Sequence, residues 1–136
     1  MISFNYENDF TLLHEKKISD WIELVVATEK CELTEINYIF CDDEYLHKLN
    51  VEFLDHDTLT DVIGFDYSIG KNLHGDIYIS TERIADNAKD LGLTFQEELH
   101  RVMVHGILHF CGYKDKTETD ALIMTAKEDD HLSSLE

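Results

Sequence analysis

Hydrophobic and polar residues follow short patterns that predict four strands. Ile2 to Tyr6 alternates apolar and polar positions, and Glu35 to Cys41 is rich in β-branched and aromatic side chains. Val62 to Tyr67 has a similar character, and Asp76 to Ser80 places its two isoleucines on one face. The segment Gly70 to Gly75 is predicted to be a loop.

Five further stretches have the period of amphipathic helices. Asp42 and Asp43 are predicted to cap the second helix, whose inner face would carry Tyr45, Leu46, Leu49 and Phe53. The third helix ends at a glycine, and the fourth begins with a capping box of the form Thr-Phe-Gln-Glu. The predicted helices are Leu12–Ala27, Glu44–Phe53, Ser80 or Thr81 to about Leu91, Thr94–Cys111 and Glu118 to about Leu132.

The mixture of strands and helices favours the α+β class. The chain has 136 residues, with no internal repeat and no linker, so we expect a single domain over residues 1–136. Its sheet should be small, mainly four-stranded and mixed, with about five helices. Neither a membrane span nor a signal peptide is apparent in the sequence, and we therefore expect a cytoplasmic protein with no membrane partner.

The cysteine content and net charge argue against several kinds of site and partner. The three cysteines form no C-x-x-C pair, which argues against a disulfide framework and against a cysteine zinc site, and favours reduced, mostly buried thiols. The formal net charge is −18, with only 11 lysines and arginines and no basic block. Electrostatics alone would therefore argue against a nucleic-acid partner, which normally requires clustered cations.

The strongest chemical pattern lies at the end of the fourth, penultimate helix. His105 and His109 are four residues apart, so both imidazoles lie on one helical face and can reach one metal ion. Gly112 lets the chain turn, and Asp115 can then return its carboxylate to the same ion. Two imidazoles and one carboxylate leave a fourth position open, as in catalytic zinc sites. The opposite side of the helix would be buried through Leu99, Met103, Ile107 and Phe110.

One residue separates this pattern from the zinc-protease signature that it otherwise resembles. The spacing H-x3-H-x2-G-x2-D nearly matches H-E-x-x-H-x-x-G-x-x-H, but the protease general base is replaced by Gly106. This difference argues against peptide hydrolysis by that mechanism. From the residues alone, the sequence predicts a metal-dependent hydrolase that is not a protease.

The segment from His105 to Tyr113 resembles the signature of the YbeY family, bacterial metal-dependent endoribonucleases of rRNA maturation. The family pattern is usually H-G-x-L-H-x-x-G-Y-D-H, and supporting matches lie upstream at Leu49-Asn50, Thr60 to Phe65 and Gly75 to Ile77. The resemblance implies a zincin-like domain and a single-strand-specific endoribonuclease with one Zn²⁺. It would act in small-subunit rRNA 3′-end maturation and ribosome quality control. The implied partners are rRNA, ribosomal particles and a ribosomal protein, and we expect a monomer.

Two positions depart from the family pattern. Asp115 stands where the family usually has a third histidine, and its charge should lower the Lewis acidity of the metal and raise the pKa of its bound water. The arginine that the family commonly carries after the second helix corresponds here to Leu54. His56 is the nearest cationic substitute, although an exposed loop histidine would explain it equally well.

The sequence leaves the catalytic groups beyond the metal open. Attack by water and attack by a 2′-OH are both compatible with a metal site, and the general base could be His56, Asp57 or the substrate. Arg101 lies one turn before His105 and is a candidate for contacting phosphate, although the sequence favours a surface arginine on the helix. The remaining residues with metal-binding or acidic side chains are interpreted as structural or solvated: His100 and Cys111 off the ligand face, His14, His47, His74 and His131 as surface or cap residues, and Glu128, Asp129 and Asp130 as a solvated run.

Two other functions remain open from the sequence. One is a zinc hydrolase acting on a small molecule or peptide, a reading that the acidic charge supports. The other is a non-catalytic ribosome-assembly protein with a structural metal, which Leu54 supports and the open coordination position opposes. If the substrate is RNA, the acidic surface predicts weak, salt-sensitive binding of free RNA, with a ribosomal partner supplying further contacts.

Overall fold

Five helices and four strands make up the regular structure of the residues described, 1–56 and 58–135, in the computed structural model. No helix among these residues is long and apolar enough to cross a membrane. In chain order the elements are β1 (Ile2–Tyr6), α1 (Glu15–Thr28), β2 (Glu32–Cys41), α2 (Asp43–Leu54), β3 (Val62–Asp66), β4 (Asn72–Ser80), α3 (Thr81–Leu91), α4 (Phe95–Phe110) and α5 (Glu118–Ser133).

The four strands form one mixed sheet in the order β1-β2-β4-β3, which confirms the predicted α+β class. β1 and β4 each pair with β2 in parallel, and β3 pairs with β4 antiparallel. The predicted loop at Gly70–Gly75 is wrong from Asn72 onward, because β4 begins there. Leu73 pairs with Leu33 and is fully buried, so this short stretch gains both ladder hydrogen bonds and apolar contacts.

The main core lies on the face of the sheet that α1 and α4 cover. Tyr38 and Ile77 project from the central strands into this core, and both are fully buried. The hydroxyl of Tyr38 donates a 2.8 Å hydrogen bond to the carbonyl oxygen of Met103. This bond fixes the middle of α4 against the sheet, and the four α4 residues predicted to be inward are indeed buried.

The opposite face of the sheet carries α2 and a smaller apolar cluster. Cys41, Leu46 and Ile63 form its buried centre. The predicted inner face of α2 does face the sheet: Leu46 is buried and Leu49 packs against the cluster. The ring of Tyr45 stacks on Tyr78 of β4, and the ring of Phe53 meets the edge of Phe65 of β3. Tyr45 and Phe53 are nevertheless 37% and 59% exposed, because they lie at the margin of the cluster.

The first residues of α1 and α4 are determined by local interactions. α1 begins at Glu15 and not at Leu12, because His14 adopts a left-handed conformation with φ of 60° before the helix. The capping box on α4 is present as predicted: Thr94 and Glu97 each bond to the other's backbone N–H. The capping box fixes the start of α4, and buried contacts fix its middle. Together they determine where the last turn of the helix places the two histidines.

Candidate metal centre

The two histidines near the end of α4 lie one above the other, with ring centroids 4.5 Å apart. Their Nε2 atoms are 3.0 Å apart. The Oδ2 atom of Asp115 lies 3.3 Å from Nε2 of His105 and 3.3 Å from Nε2 of His109. The structure therefore brings together the three side chains that the sequence singles out as metal ligands.

A tight turn after α4 places the carboxylate. Cys111 caps the helix, and Gly112 follows with φ of 108°, a left-handed conformation that favours glycine. The N–H of Tyr113 then donates to the carbonyl oxygen of Leu108, which folds the chain back. The sequence placed glycine correctly at the bend that returns Asp115 to the histidines.

The donor set fits a zinc ion in both geometry and protonation. Bonds of 2.0–2.1 Å in a tetrahedron place ligand atoms about 3.3 Å apart, close to the three separations observed. Nδ1 of His109 lies 3.0 Å from the carbonyl oxygen of Tyr113, an acceptor only, so Nδ1 must carry the proton. Nδ1 of His105 likewise faces a carboxylate oxygen of Glu128 at 2.6 Å. Lone pairs of two Nε2 atoms and one carboxylate thus converge on one point, where a cation is favoured.

Glu128 was missed by the sequence reasoning, and its assignment to a solvated acidic run is wrong. The residue is 6% exposed and lies on the inner face of α5. The available signal was spacing, since the buried residues of α5, Met124, Glu128 and His131, follow one another by four and three positions. An acidic residue in the middle of such a stripe needs a partner, and here the partner is His105.

The electrostatics of His105 follow from these neighbours. Burial alone would lower the pKa of His105, but the hydrogen bond and charge of Glu128, with Asp115 and Asp61, raise it above its ordinary value. The same negative charges that retain a proton on this ring also favour a metal cation.

A second hydrogen-bonded network, centred on Glu29, lies beside the contacts of His105 and Glu128. His131 was predicted to be a surface or cap residue, but it is 7% exposed, and its Nε2 lies 2.6 Å from Oε2 of Glu29. The other oxygen of Glu29 accepts a 2.6 Å hydrogen bond from the hydroxyl of Tyr113. Burial alone would raise the pKa of Glu29, but the bonds from Tyr113 and His131 and the charge of Lys127 lower it. This network holds the residue whose carbonyl oxygen contacts His109.

The other candidate residues are not among the three converging side chains. Arg101 donates from Nη1 to Glu128 at 2.8 Å and from Nη2 to Asp129 at 2.5 Å. His56 is exposed and lines the cleft in front of the ligands. Asp57 lies outside the described residues. Catalytic roles for His56 and Arg101 remain predictions.

The cysteines are free thiols, as expected, although only Cys41 is fully buried. Cys111 interacts with Cys31, and burial is the main cause that raises its pKa well above the ordinary range of a thiol. This arrangement agrees with the expectation that Cys111 takes no part in the ligand set. His100 is partly buried and packs against the edge of Trp21, and burial lowers its pKa, which supports its structural interpretation.

The three ligands open onto a cleft of about 540 Å³ between α4, β3 and the segment after α2. Leu54, which the sequence analysis singles out as a departure from the family pattern, lines this cleft and is 41% exposed. Among the described residues, the lining contains no lysine or arginine. Its polar side chains are carboxylates, hydroxyls, one amide and histidines: Asn50, His56, Thr58, Thr60, Asp61, Asp66, His105, His109 and Asp115.

Comparison with known proteins matches nearly the whole chain to one family. The model of the family described as Endoribonuclease YbeY matches residues 3–136. The Endoribonuclease YbeY of Flavobacterium johnsoniae is 57% identical over 133 residues, which is 98% of this chain and 96% of the relative. That of Christiangramia forsetii is 52% identical over 132 residues, covering 97% of this chain and 92% of the relative.

The fold has a counterpart among solved structures. The solution structure of TM1509 from Thermotoga maritima superposes with a TM-score of 0.72 at 26% sequence identity. The match covers 99% of this chain and 89% of that chain. The agreement therefore extends over the whole α+β arrangement that carries the ligands.

Proposed function

Because the chain belongs to the Endoribonuclease YbeY family, we propose that it is a zinc-dependent endoribonuclease specific for single-stranded RNA. Its substrate in this proposal is small-subunit rRNA, cleaved in 3′-end maturation and in ribosome quality control. The reaction takes place in the cytoplasm, with ribosomal particles as the partner that presents the RNA.

The observation that carries this proposal is the convergence of three ligand atoms at the head of an open cleft. His105, His109 and Asp115 would hold the ion, and one coordination position would face the cleft. A zinc ion bound there would supply Lewis acidity toward a phosphodiester. A structural zinc site is normally closed by four protein ligands, so the open arrangement favours catalysis.

The protein's own residues supply positioning around that ion. The bonds that Nδ1 of His105 and Nδ1 of His109 make keep both Nε2 atoms free for the metal. Gly106 cannot act as a base, and its Cα faces Ile77, where an added Cβ would lie 3.1 Å from Cδ1. Proton transfer from the nucleophile therefore falls to a group in the cleft, such as His56, or to the substrate.

The acidic cleft explains why a ribosomal partner belongs in the proposal. Without lysine or arginine among its described lining residues, the cleft can neutralise few phosphates. Affinity for free RNA should then be weak, and contacts outside the cleft, made by a ribosomal particle, would hold the substrate. Single strands fit this cleft better than duplexes, because an unpaired strand is flexible enough to bring one phosphate to a metal inside the cleft.

The test compares RNA cleavage by the wild type and by His109→Ala, with and without ribosomal particles, on matched single-stranded and duplex substrates. His74→Ala is the control, because His74 is a partly exposed histidine that does not line the cleft. We expect cleavage of single strands by the wild type and the control, and loss of cleavage in His109→Ala. Equal activity in all three proteins would reject metal-dependent cleavage.

Zinc content and product ends complete the test. Purified His109→Ala and Asp115→Ala should lose zinc, and wild-type stoichiometry in both variants would exclude this ligand set. A 2′,3′-cyclic phosphate product would indicate attack by the 2′-OH, and a 5′-phosphate would indicate attack by water. Zinc binding without cleavage of any RNA would favour the non-catalytic assembly role.

A further inference from the structure

Glu128 occupies a position where α5 would otherwise bury an apolar side chain. Its neighbours in the buried stripe are Met124 and His131, and its own side chain is 8% exposed. Both of its oxygens are used: Oε1 accepts from Nη1 of Arg101 at 2.8 Å, and Oε2 lies 2.6 Å from Nδ1 of His105. A buried carboxylate is costly unless it is fully paired, so its pairing with a metal ligand requires an explanation.

Stability does not supply that explanation. Buried ion pairs are often no more stabilising than apolar side chains of similar volume. Met124 in the same stripe shows that this face of α5 accommodates an apolar residue against α4. The distinguishing property of Glu128 is therefore what its carboxylate does to His105.

The hydrogen bond selects one tautomer of His105. A carboxylate only accepts, so Nδ1 carries the proton and Nε2 presents its lone pair toward Asp115, 3.3 Å away. His109 reaches the same tautomer by a different contact, the neutral carbonyl oxygen of Tyr113. An anionic acceptor also makes the imidazole a more basic ligand than a carbonyl does. His105 should therefore be the stronger of the two histidine ligands.

We propose that Glu128 is a positioning residue of the metal centre, and that Arg101 acts on His105 through Glu128. This inference rests on the proposed zinc site. Arg101 has both terminal nitrogens occupied, by Glu128 and by Asp129, which fixes the plane of the Glu128 carboxylate. Arg101 therefore has a role other than phosphate binding in this proposal: it orients the carboxylate of Glu128, which in turn orients His105.

Zinc affinity tests the proposal directly. Glu128→Gln keeps the shape of the side chain and removes its charge, and we expect its zinc dissociation constant to rise about tenfold to a hundredfold in a chelator competition assay. Asp130→Asn is the matched control, because Asp130 is an exposed acidic residue of α5 that, within the described part of the chain, pairs with neither Arg101 nor the two histidines. Its zinc affinity should remain within about threefold of the wild type. Equal affinities in the two variants would overturn the proposal.

A spectroscopic measurement on the metal-free protein requires no activity, and its wild-type part does not depend on the folding of any variant. Nitrogen-15 chemical shifts of the wild-type imidazoles, recorded above the pKa of His105, should show the proton on Nδ1 of both ligands. In Glu128→Ala, His105 should shift toward the other tautomer while His109 does not. A wild-type His105 with its proton on Nε2, or an unchanged tautomer in Glu128→Ala, would contradict the proposal.

These measurements separate the two proposals. If the wild type binds zinc, and Glu128→Gln weakens that binding, but no RNA is cleaved, only the proposed function fails. If RNA is cleaved and zinc affinity is the same in Glu128→Gln and Asp130→Asn, only the positioning role fails. If the wild type binds no zinc, the metal site itself is rejected, and both proposals fail with it.

Discussion

Tyr113 contacts His109 through its backbone and Glu29 through its side chain. Its carbonyl oxygen accepts from Nδ1 of His109 at 3.0 Å, and its hydroxyl donates to Oε1 of Glu29 at 2.6 Å. One residue thus connects a proposed metal ligand to the end of α1. The two contacts can be separated, because a substitution of the ring leaves the carbonyl oxygen in place.

Tyr113→Phe should lower stability and leave zinc binding nearly unchanged. Loss of a hydrogen bond to a charged acceptor costs about 1.5–3 kcal/mol in the free energy of unfolding. The carbonyl oxygen still orients His109, so the zinc dissociation constant should change by less than about threefold. Denaturant unfolding and chelator competition measure the two effects. A large loss of zinc affinity at normal stability would show that the side chain itself orients the ligand.

Leu54→Arg should strengthen RNA binding, because it places a cation in a cleft whose described lining has none. One added phosphate contact should make the slope of log K against log [salt] more negative by about 0.7 for a single strand. Leu54→Gln is the neutral control and should leave the slope unchanged. Filter binding or fluorescence anisotropy across a salt series provides the measurement. An unchanged slope in Leu54→Arg would place the RNA backbone away from Leu54.

Gly75→Ala should destabilise the contact between β4 and the end of α4. An added Cβ would lie 2.7 Å from Cε2 of Phe110 and would also collide with the backbone oxygen of Phe65. Overpacking of this kind costs about 1–3 kcal/mol. Gly64→Ala is the graded comparison, because its Cβ would meet Phe110 at 3.1 Å and only a side chain must move. In thermal unfolding, Gly75→Ala should have a lower Tm than Gly64→Ala, and the reverse order would contradict this packing.

Asp43 should contribute stability that depends on pH. Burial alone would raise its pKa, but hydrogen bonds from Arg83 and Ser80, each 2.7 Å long, lower it below the ordinary value. A carboxyl with a lowered folded-state pKa stabilises the fold above its unfolded pKa, near 3.9, and loses that contribution as the pH falls through the folded pKa. Asp43→Asn should therefore cost about 1–2 kcal/mol at pH 7.

The difference between wild type and Asp43→Asn should shrink as the pH falls from about 5 toward 3. Denaturant unfolding at several pH values measures it. Glu44→Gln is the matched control, since Glu44 is 80% exposed and pairs with Lys48, an exposed lysine one turn away. A constant difference across this pH range would mean that the bonds to Asp43 do not depend on its charge.

The sequence was most informative where structure is local. The capping box at Thr94, the glycine that ends α3 and the spacing of His105 and His109 depend on neighbours a few residues away, and each predicted feature is present. The bend at Gly112 also follows from a local requirement for a left-handed residue. These features needed no knowledge of the rest of the fold.

The sequence was least informative where a residue's role depends on distant partners. Glu128 and His131 read as polar surface residues because their partners, His105 and Glu29, lie on other helices. Asn72 to Gly75 read as a loop because its strand character comes from pairing with β2. Burial of a charged residue is decided by tertiary contacts, which a single sequence does not reveal.

The short span of the ligand set affects how the metal couples to folding. All three proposed ligands lie between residues 105 and 115, so an unfolded chain can also gather them around an ion. A metal ion that binds both the folded and the unfolded chain stabilises the folded state only by the ratio of its two affinities. What the folded chain adds is the contact from α5, since Glu128 reaches His105 only when the helices pack. Native zinc affinity beyond that of an isolated 105–115 peptide is therefore the part of metal binding that stabilises the fold.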